Sequence, residues 1–148
     1  LIFDNSSIAM TGHQQSPSTG SLNYRGFLES MGVDKVIEVS PYQPKDFIEK
    51  LKAELNGKGV RVFWVRGECV IAGNPFIESR REILYPEIDA TKCADCSKCY
   101  TELACPAIIN LKDAPGQELK IDLDRCVRCG VCNEICPNGA ISIHPVQV

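Results

Sequence analysis

The chain lacks an apolar run long enough for a membrane, and it lacks the positive charge of a nucleic-acid binder. Its apolar stretches fall far short of the roughly 20 residues that span a bilayer. Its formal net charge is −3 over 148 residues, the wrong sign for a surface that tracks phosphates. No secretory leader is expected, because Leu1-Ile2-Phe3-Asp4 begins no signal peptide. Nine cysteines without a leader point to a reducing compartment, the cytoplasm, where thiolates hold metal. An initiator methionine is missing too. Leu1-Ile2-Phe3 reads as a strand already under way, so a piece of a longer polypeptide is expected.

What is present is dominated by residues 93 to 137, which hold eight of the nine cysteines. One run is Cys93, Cys96, Cys99 and then Cys105-Pro106; the other is Cys126, Cys129, Cys132 and then Cys136-Pro137. Two C-x2-C-x2-C spacings, each closed by Cys-Pro, form the bacterial pattern for a pair of 4Fe–4S clusters. Three thiolates spaced two residues apart wrap three corners of a cubane, and the distant cysteine of each run serves the other cluster. One cluster is therefore expected on Cys93, Cys96, Cys99 and Cys136, and a second on Cys126, Cys129, Cys132 and Cys105. Three other readings compete. Disulfides suit a small secreted domain, zinc prefers paired C-x2-C ligands to triplets followed by Cys-Pro, and buried structural thiols would not repeat in register.

The first half has an α/β pattern. After Phe3 the sequence turns polar and small through residues 4–21, as at the C-terminal end of a strand, where open α/β sheets carry ligands. An ordinary polar surface loop accounts for the same residues, and spacing alone names no ligand. A short helix is expected over Arg25–Met31, stopped by Gly32, and a strand over Val36–Val39. Pro44 suits a first helical turn, with Phe47, Ile48, Leu51 and Leu55 at helical spacing and Asn56-Gly57 as the stop. Val60–Val65 is the clearest strand, with Trp64 expected in the core. This order suggests helices on a mostly parallel sheet. Cys69, with no Cys or His nearby, is expected as a buried apolar side chain. Residues 73–86 read as a charged connector containing Glu78, Arg80, Arg81 and Glu82, with the domain boundary near Tyr85-Pro86.

The remainder repeats at an offset of 33 residues, Ile88-Asp89 to Cys93 matching Ile121-Asp122 to Cys126. Each half is expected to offer a cysteine loop, a Cys-Pro that opens a short helix, and a small strand (108–111 and 141–143). Backbone N–H groups of the loops should point at the sulfurs, because a four-thiolate cluster carries net negative charge. Lys92 and Arg125, each preceding a first ligand, either offset that charge or are solvated surface charges. Five residues separate the third and fourth cysteines of the first run, and three those of the second. The extra length should bulge the start of the helix beside the first cluster, and it departs from small two-cluster ferredoxins.

The block DNSSIAMTGHQ at 4–14, the α/β tail, the wider first run ending in ACPAI at 104–108 and the C-terminal two-cluster region together resemble the large subunit family of indolepyruvate:ferredoxin oxidoreductases. These are 2-oxoacid:ferredoxin oxidoreductases, and the resemblance runs over essentially the whole chain. It implies the C-terminal part of an α/β thiamine-diphosphate-binding domain (1–86), followed by an α+β ferredoxin-like domain with two 4Fe–4S clusters (87–148). It further implies Asn5 as a side-chain Mg2+ ligand and Ser7 as a carbonyl ligand, with Thr11, Gly12, His13 and Gln14 close to the diphosphate. The Gly-Asp-Gly element and the glutamate that activates thiamine are not in this sequence, and no catalytic residue is assigned. The implied activity is oxidative decarboxylation of indolepyruvate and other aryl 2-oxoacids, with coenzyme A as co-substrate, ferredoxin as acceptor and a smaller beta subunit as partner. The piece alone would be inactive. The rival reading is a free-standing electron-transfer module with residues 1–87 as a docking domain.

Overall fold

The run Val62-Phe63-Trp64-Val65 takes the centre of a three-stranded parallel sheet in the computed structural model, which describes residues 1–12, 14–70, 84–111 and 119–145. In chain order the strands of the first unit are β1 (Ile2–Asp4), β2 (Ser7–Ile8), β3 (Gln14–Gln15), β4 (Lys35–Val39) and β5 (Arg61–Arg66). The main sheet runs β1-β5-β4, with Ile2 opposite Trp64 and Val36 opposite Val62. Alternation along a strand sends successive side chains to opposite faces. Val36, Val62 and Trp64 accordingly pack with Leu28 and Tyr24 of α1 (Tyr24–Ser30). Val39, Phe63 and Val65 pack with Phe47 and Leu51 of α2 (Pro44–Glu54) on the other face.

The helices form where expected, for legible reasons. Asn23 caps α1 by accepting from the Gly26 N–H at 2.9 Å, and Gly32 takes φ 86° after its end, a conformation glycine adopts without strain. Pro44 opens α2. Only half of the apolar stripe of α2 is inward, since Ile48 and Leu55 are exposed. Val60 is exposed as well, and the central strand starts one residue later, at Arg61. Cys69 is half-buried rather than buried.

The chain divides into units Leu1–Ala72 and Gly73–Val148, ahead of the boundary expected near Tyr85-Pro86. The reason is β6 (Leu84–Ile88), which straddles that point and pairs antiparallel with β9 (Ile141–Pro145), Ile88 opposite Ile141. Glu78, Arg80, Arg81 and Glu82 lie outside the described residues. The 33-residue repeat becomes an exchange of strands. β6 opens the first half and pairs with β9, which closes the second. β8 (Leu119–Ile121) opens the second half and pairs with β7 (Ile108–Asn110), which closes the first. Matching bonds join the halves, Asp89 N–H to Ala140 O and Asp122 N–H to Ala107 O, both 2.7 Å. Ile108, Leu119, Cys132 and Ile141 form the buried core, with Ile88 and Ile121 against it.

Two helices follow the third-position loops, α3 (Lys98–Thr101) and α4 (Val131–Ile135). They precede the Cys-Pro pairs, whereas a helix opened by Cys-Pro was expected. Proline disfavours helical geometry in the residue before it, and Cys136 sits at ψ 114°, ending α4. The extra length of the first run is absorbed between α3 and Cys105, where Leu103 N–H reaches Lys98 O at 3.0 Å and Ala104 takes φ 50°, though no helix follows for it to bulge.

Candidate functional site

Each cysteine loop bends through two left-handed residues at equivalent places. Asp95 (φ 59°) and Ser97 (φ 66°) serve the first loop, Arg128 (φ 55°) and Gly130 (φ 81°) the second. Such successive turns direct backbone N–H groups inward, a geometry that holds anions. The N–H of Arg128 donates to Cys126 Sγ at 3.4 Å, and that of Ala140 to Cys136 Sγ at 3.3 Å.

All nine cysteines are free thiols, so the structure contains no disulfide. Cys93, Cys96, Cys99 and Cys136 line one cavity. Cys105, Cys126, Cys129 and Cys132 line another, together with Arg125 and Arg128. Each cavity thus draws three thiols from one run and one from the other. Among the described residues no three His, Cys, Asp or Glu groups converge to hold a single ion, as zinc would need. Thiols spread around a cavity suit the larger core of a cluster.

The electrostatics point the same way. Burial pushes Cys132 up to about 12, and its neighbours Cys129, Cys105 and Cys126 push it further in the same sense. Burial also raises Cys99 and Cys126, the latter against the N–H of Arg128. At Cys136 burial raises the thiol, but N–H donors led by that of Ala140 outweigh it and hold the thiol below its ordinary value. Three of these thiols resist ionisation, and they become thiolates when a strongly cationic group displaces their protons. These residues therefore fit an iron–sulfur cluster. When bound it would accept and release single electrons, while the chain supplies thiolates and N–H donors.

Lys92 and Arg125 are surface charges with partners, bridging Asp89 at 3.1 Å and Asp122 at 3.2 Å. Arg125 additionally lines the second cavity. Thr91, donating from both its N–H and its hydroxyl, and Lys92 hold Asp89 down to about 2.

At the C-terminal end of β1, Asn5 is exposed and its side-chain oxygen accepts from the Ser7 N–H at 3.1 Å. Thr11 and Gln14 bond each other, hydroxyl to Oε1 and Nε2 to the Thr11 carbonyl, both 2.6 Å. Gly12 lies between them at φ 101°, and His13 is outside the described residues. One side-chain oxygen and one carbonyl fit part of a Mg2+ site, well short of its six ligands. Asp4 was missed. Its Oδ1 accepts from Ser6 N–H at 3.0 Å and Ser18 hydroxyl at 2.6 Å, and its buried Oδ2 faces Arg66 Nε at 3.8 Å. The available signal was an Asp ending a strand before Asn-Ser-Ser, a sequence that favours side-chain-to-backbone turns.

Among the described residues no helix is long and apolar enough to cross a membrane. Residues 119–142 match the model of the 4Fe-4S binding domain family. Indolepyruvate oxidoreductase subunit IorA of Archaeoglobus fulgidus is 33% identical over 95% of this chain, and that of Pyrococcus horikoshii equally so. A dihydromethanopterin reductase (acceptor) of Methanosarcina mazei is 38% identical over 41% of this chain and 25% of its own length. The chain spans 23% of the length of the two IorA relatives. Along nearly all its residues the chain is thus similar to a part of the IorA subunits, and it carries a match to the 4Fe-4S binding domain family.

Proposed function

We propose that the chain is the electron-carrying part of a thiamine-diphosphate-dependent 2-oxoacid:ferredoxin oxidoreductase acting on indolepyruvate and related aryl pyruvates. Two 4Fe–4S clusters would be held crosswise, one by Cys93, Cys96, Cys99 and Cys136, the other by Cys126, Cys129, Cys132 and Cys105. The supporting observation is that each cavity is lined by three thiols of one run and the fourth of the other. Oxidative decarboxylation releases two electrons and each cluster takes one, so paired clusters suit stepwise removal. Asn5 and the Ser7 carbonyl would contribute to Mg2+, with Thr11, Gly12, His13 and Gln14 beside the diphosphate, the remaining ligands coming from elsewhere in the enzyme.

Anaerobic reconstitution should load about eight irons and eight sulfides. Cys136→Ser should damage the cluster of Cys93, Cys96 and Cys99, whereas Cys69→Ser should leave both intact; loss of a cluster in the Cys69 variant would refute the ligand assignment. The full-length enzyme with its smaller beta subunit should reduce ferredoxin using indolepyruvate and coenzyme A. Oxidation of pyruvate at least as fast, with aromatic acids ignored, would remove the substrate and keep the electron path.

A further inference from the structure

The two cysteine loops align at the offset of 33, and between their first two cysteines they differ in charge at one left-handed position. Lys98, which replaces Val131 at the same offset and lines the first cavity, is partly exposed and paired with Glu102 at 3.5 Å. Between the first two cysteines stand Ala94-Asp95 in one loop and Val127-Arg128 in the other. Asp95 and Arg128 share the left-handed conformation, φ 59° and 55°, so they hold equivalent backbone positions in their loops, and Arg128 alone of the two lines its cavity. Asp95 is exposed beside the exposed Cys96. Arg128 lines the second cavity, and its Nε is buried with no hydrogen-bond partner. A buried guanidinium donor left unpaired is costly, and an anionic sulfide-rich group in that cavity would supply its acceptor.

Resting on the two-cluster reading, we infer that Arg128 and Asp95 set the order of reduction, the cluster of Cys126, Cys129, Cys132 and Cys105 taking the first electron. Reduction adds one negative charge to a group already negative, and no bond forms or breaks. A permanently charged guanidinium within a poorly screened cavity stabilises the added charge. A carboxylate opposes it, less strongly where water screens it. Hydrogen bonds, local charge and solvent exposure are the protein's means of setting cluster potentials. Arg128 is therefore the larger influence.

The test is a redox titration of the anaerobically reconstituted chain followed by electron paramagnetic resonance, with iron counted in each sample. The wild type should show two one-electron steps. In Arg128→Gln the higher step should fall, changing the reduced-to-oxidised ratio at fixed potential at least tenfold, about 59 mV for one electron. The lower step should move far less. Asp95→Arg, which transplants the residue of the second loop into the first, should raise the lower step towards the higher one. This exposed substitution carries the test if Arg128→Gln loads less iron. Full loading with both steps unmoved in the variants overturns the tuning role. A wild-type chain that takes only about four irons, one cluster's worth, overturns the two-cluster reading instead.

Discussion

Asp4 carries more structural weight than its neighbours in the loop after β1. Its side chain is 8% exposed, and it ties Ser6 and Ser18 to the end of β1 while facing Arg66. Arg66 in turn lies over the Trp64 ring at 5.0 Å. Asp4→Ala should cost about 1–3 kcal/mol, since buried donors lose a charged acceptor. The exposed i,i+4 pair Asp46–Lys50 should be worth only about 0.3–0.5 kcal/mol. Urea unfolding followed through the single tryptophan, Trp64, separates the two, and equal effects of Asp4→Ala and Asp46→Ala would contradict the assignment. Asn5 was legible because a resemblance drew attention to it. The role of Asp4 was not, because Ser18 is fourteen positions away and only folding brings it back.

At the scale of elements, the short helices show two proline rules in competition. Proline favours a first helical turn, which suggested helices opened by Cys-Pro. It also drives the preceding residue out of helical geometry, and at Cys136 the second rule prevails. The left-handed residue before each helix matters more. Gly130 sits at φ 81°, and an added Cβ would come 3.0 Å from Ile143 Cδ1. Gly130→Ala should therefore destabilise the second cluster loop by about 1–2 kcal/mol, the cost of left-handed backbone for a residue with Cβ. The reconstituted variant should lose its visible iron–sulfur absorbance at a lower temperature than the wild type. An unchanged transition would mean that the loop relaxes freely, as Ser97 at the equivalent position (φ 66°) shows is sterically feasible.

For the molecule as a whole, the decisive quantity is how much of each site one chain contains. Eight thiols line the two cavities, whereas the loop after β1 offers Mg2+ one side-chain oxygen and one carbonyl. Residues 1–148 alone should accordingly bind thiamine diphosphate and Mg2+ negligibly by calorimetry, because the two proposed ligands are neutral oxygens with no carboxylate to anchor the ion. In a polypeptide extended upstream, Asn5→Ala should sharply weaken binding. Tight binding by the chain alone would contradict the proposed division of that site.

By itself the sequence determined what local covalent spacing can carry. Cysteines two residues apart have few ways to surround one core, so the loops, the 33-residue repeat and the expected exchange of fourth ligands could be read along one dimension. Alternating and helical patterns likewise located β4, β5, α1 and α2. Only the tertiary structure decided which partners those elements found. The exchange of β6 and β7 between halves, the assignment of α1 and α2 to opposite faces, the exposure of Ile48 and Leu55, and the buried Nε of Arg128 all depend on residues far apart in the chain. Their positions follow from burying apolar area across the whole unit, a sum that no single stretch contains.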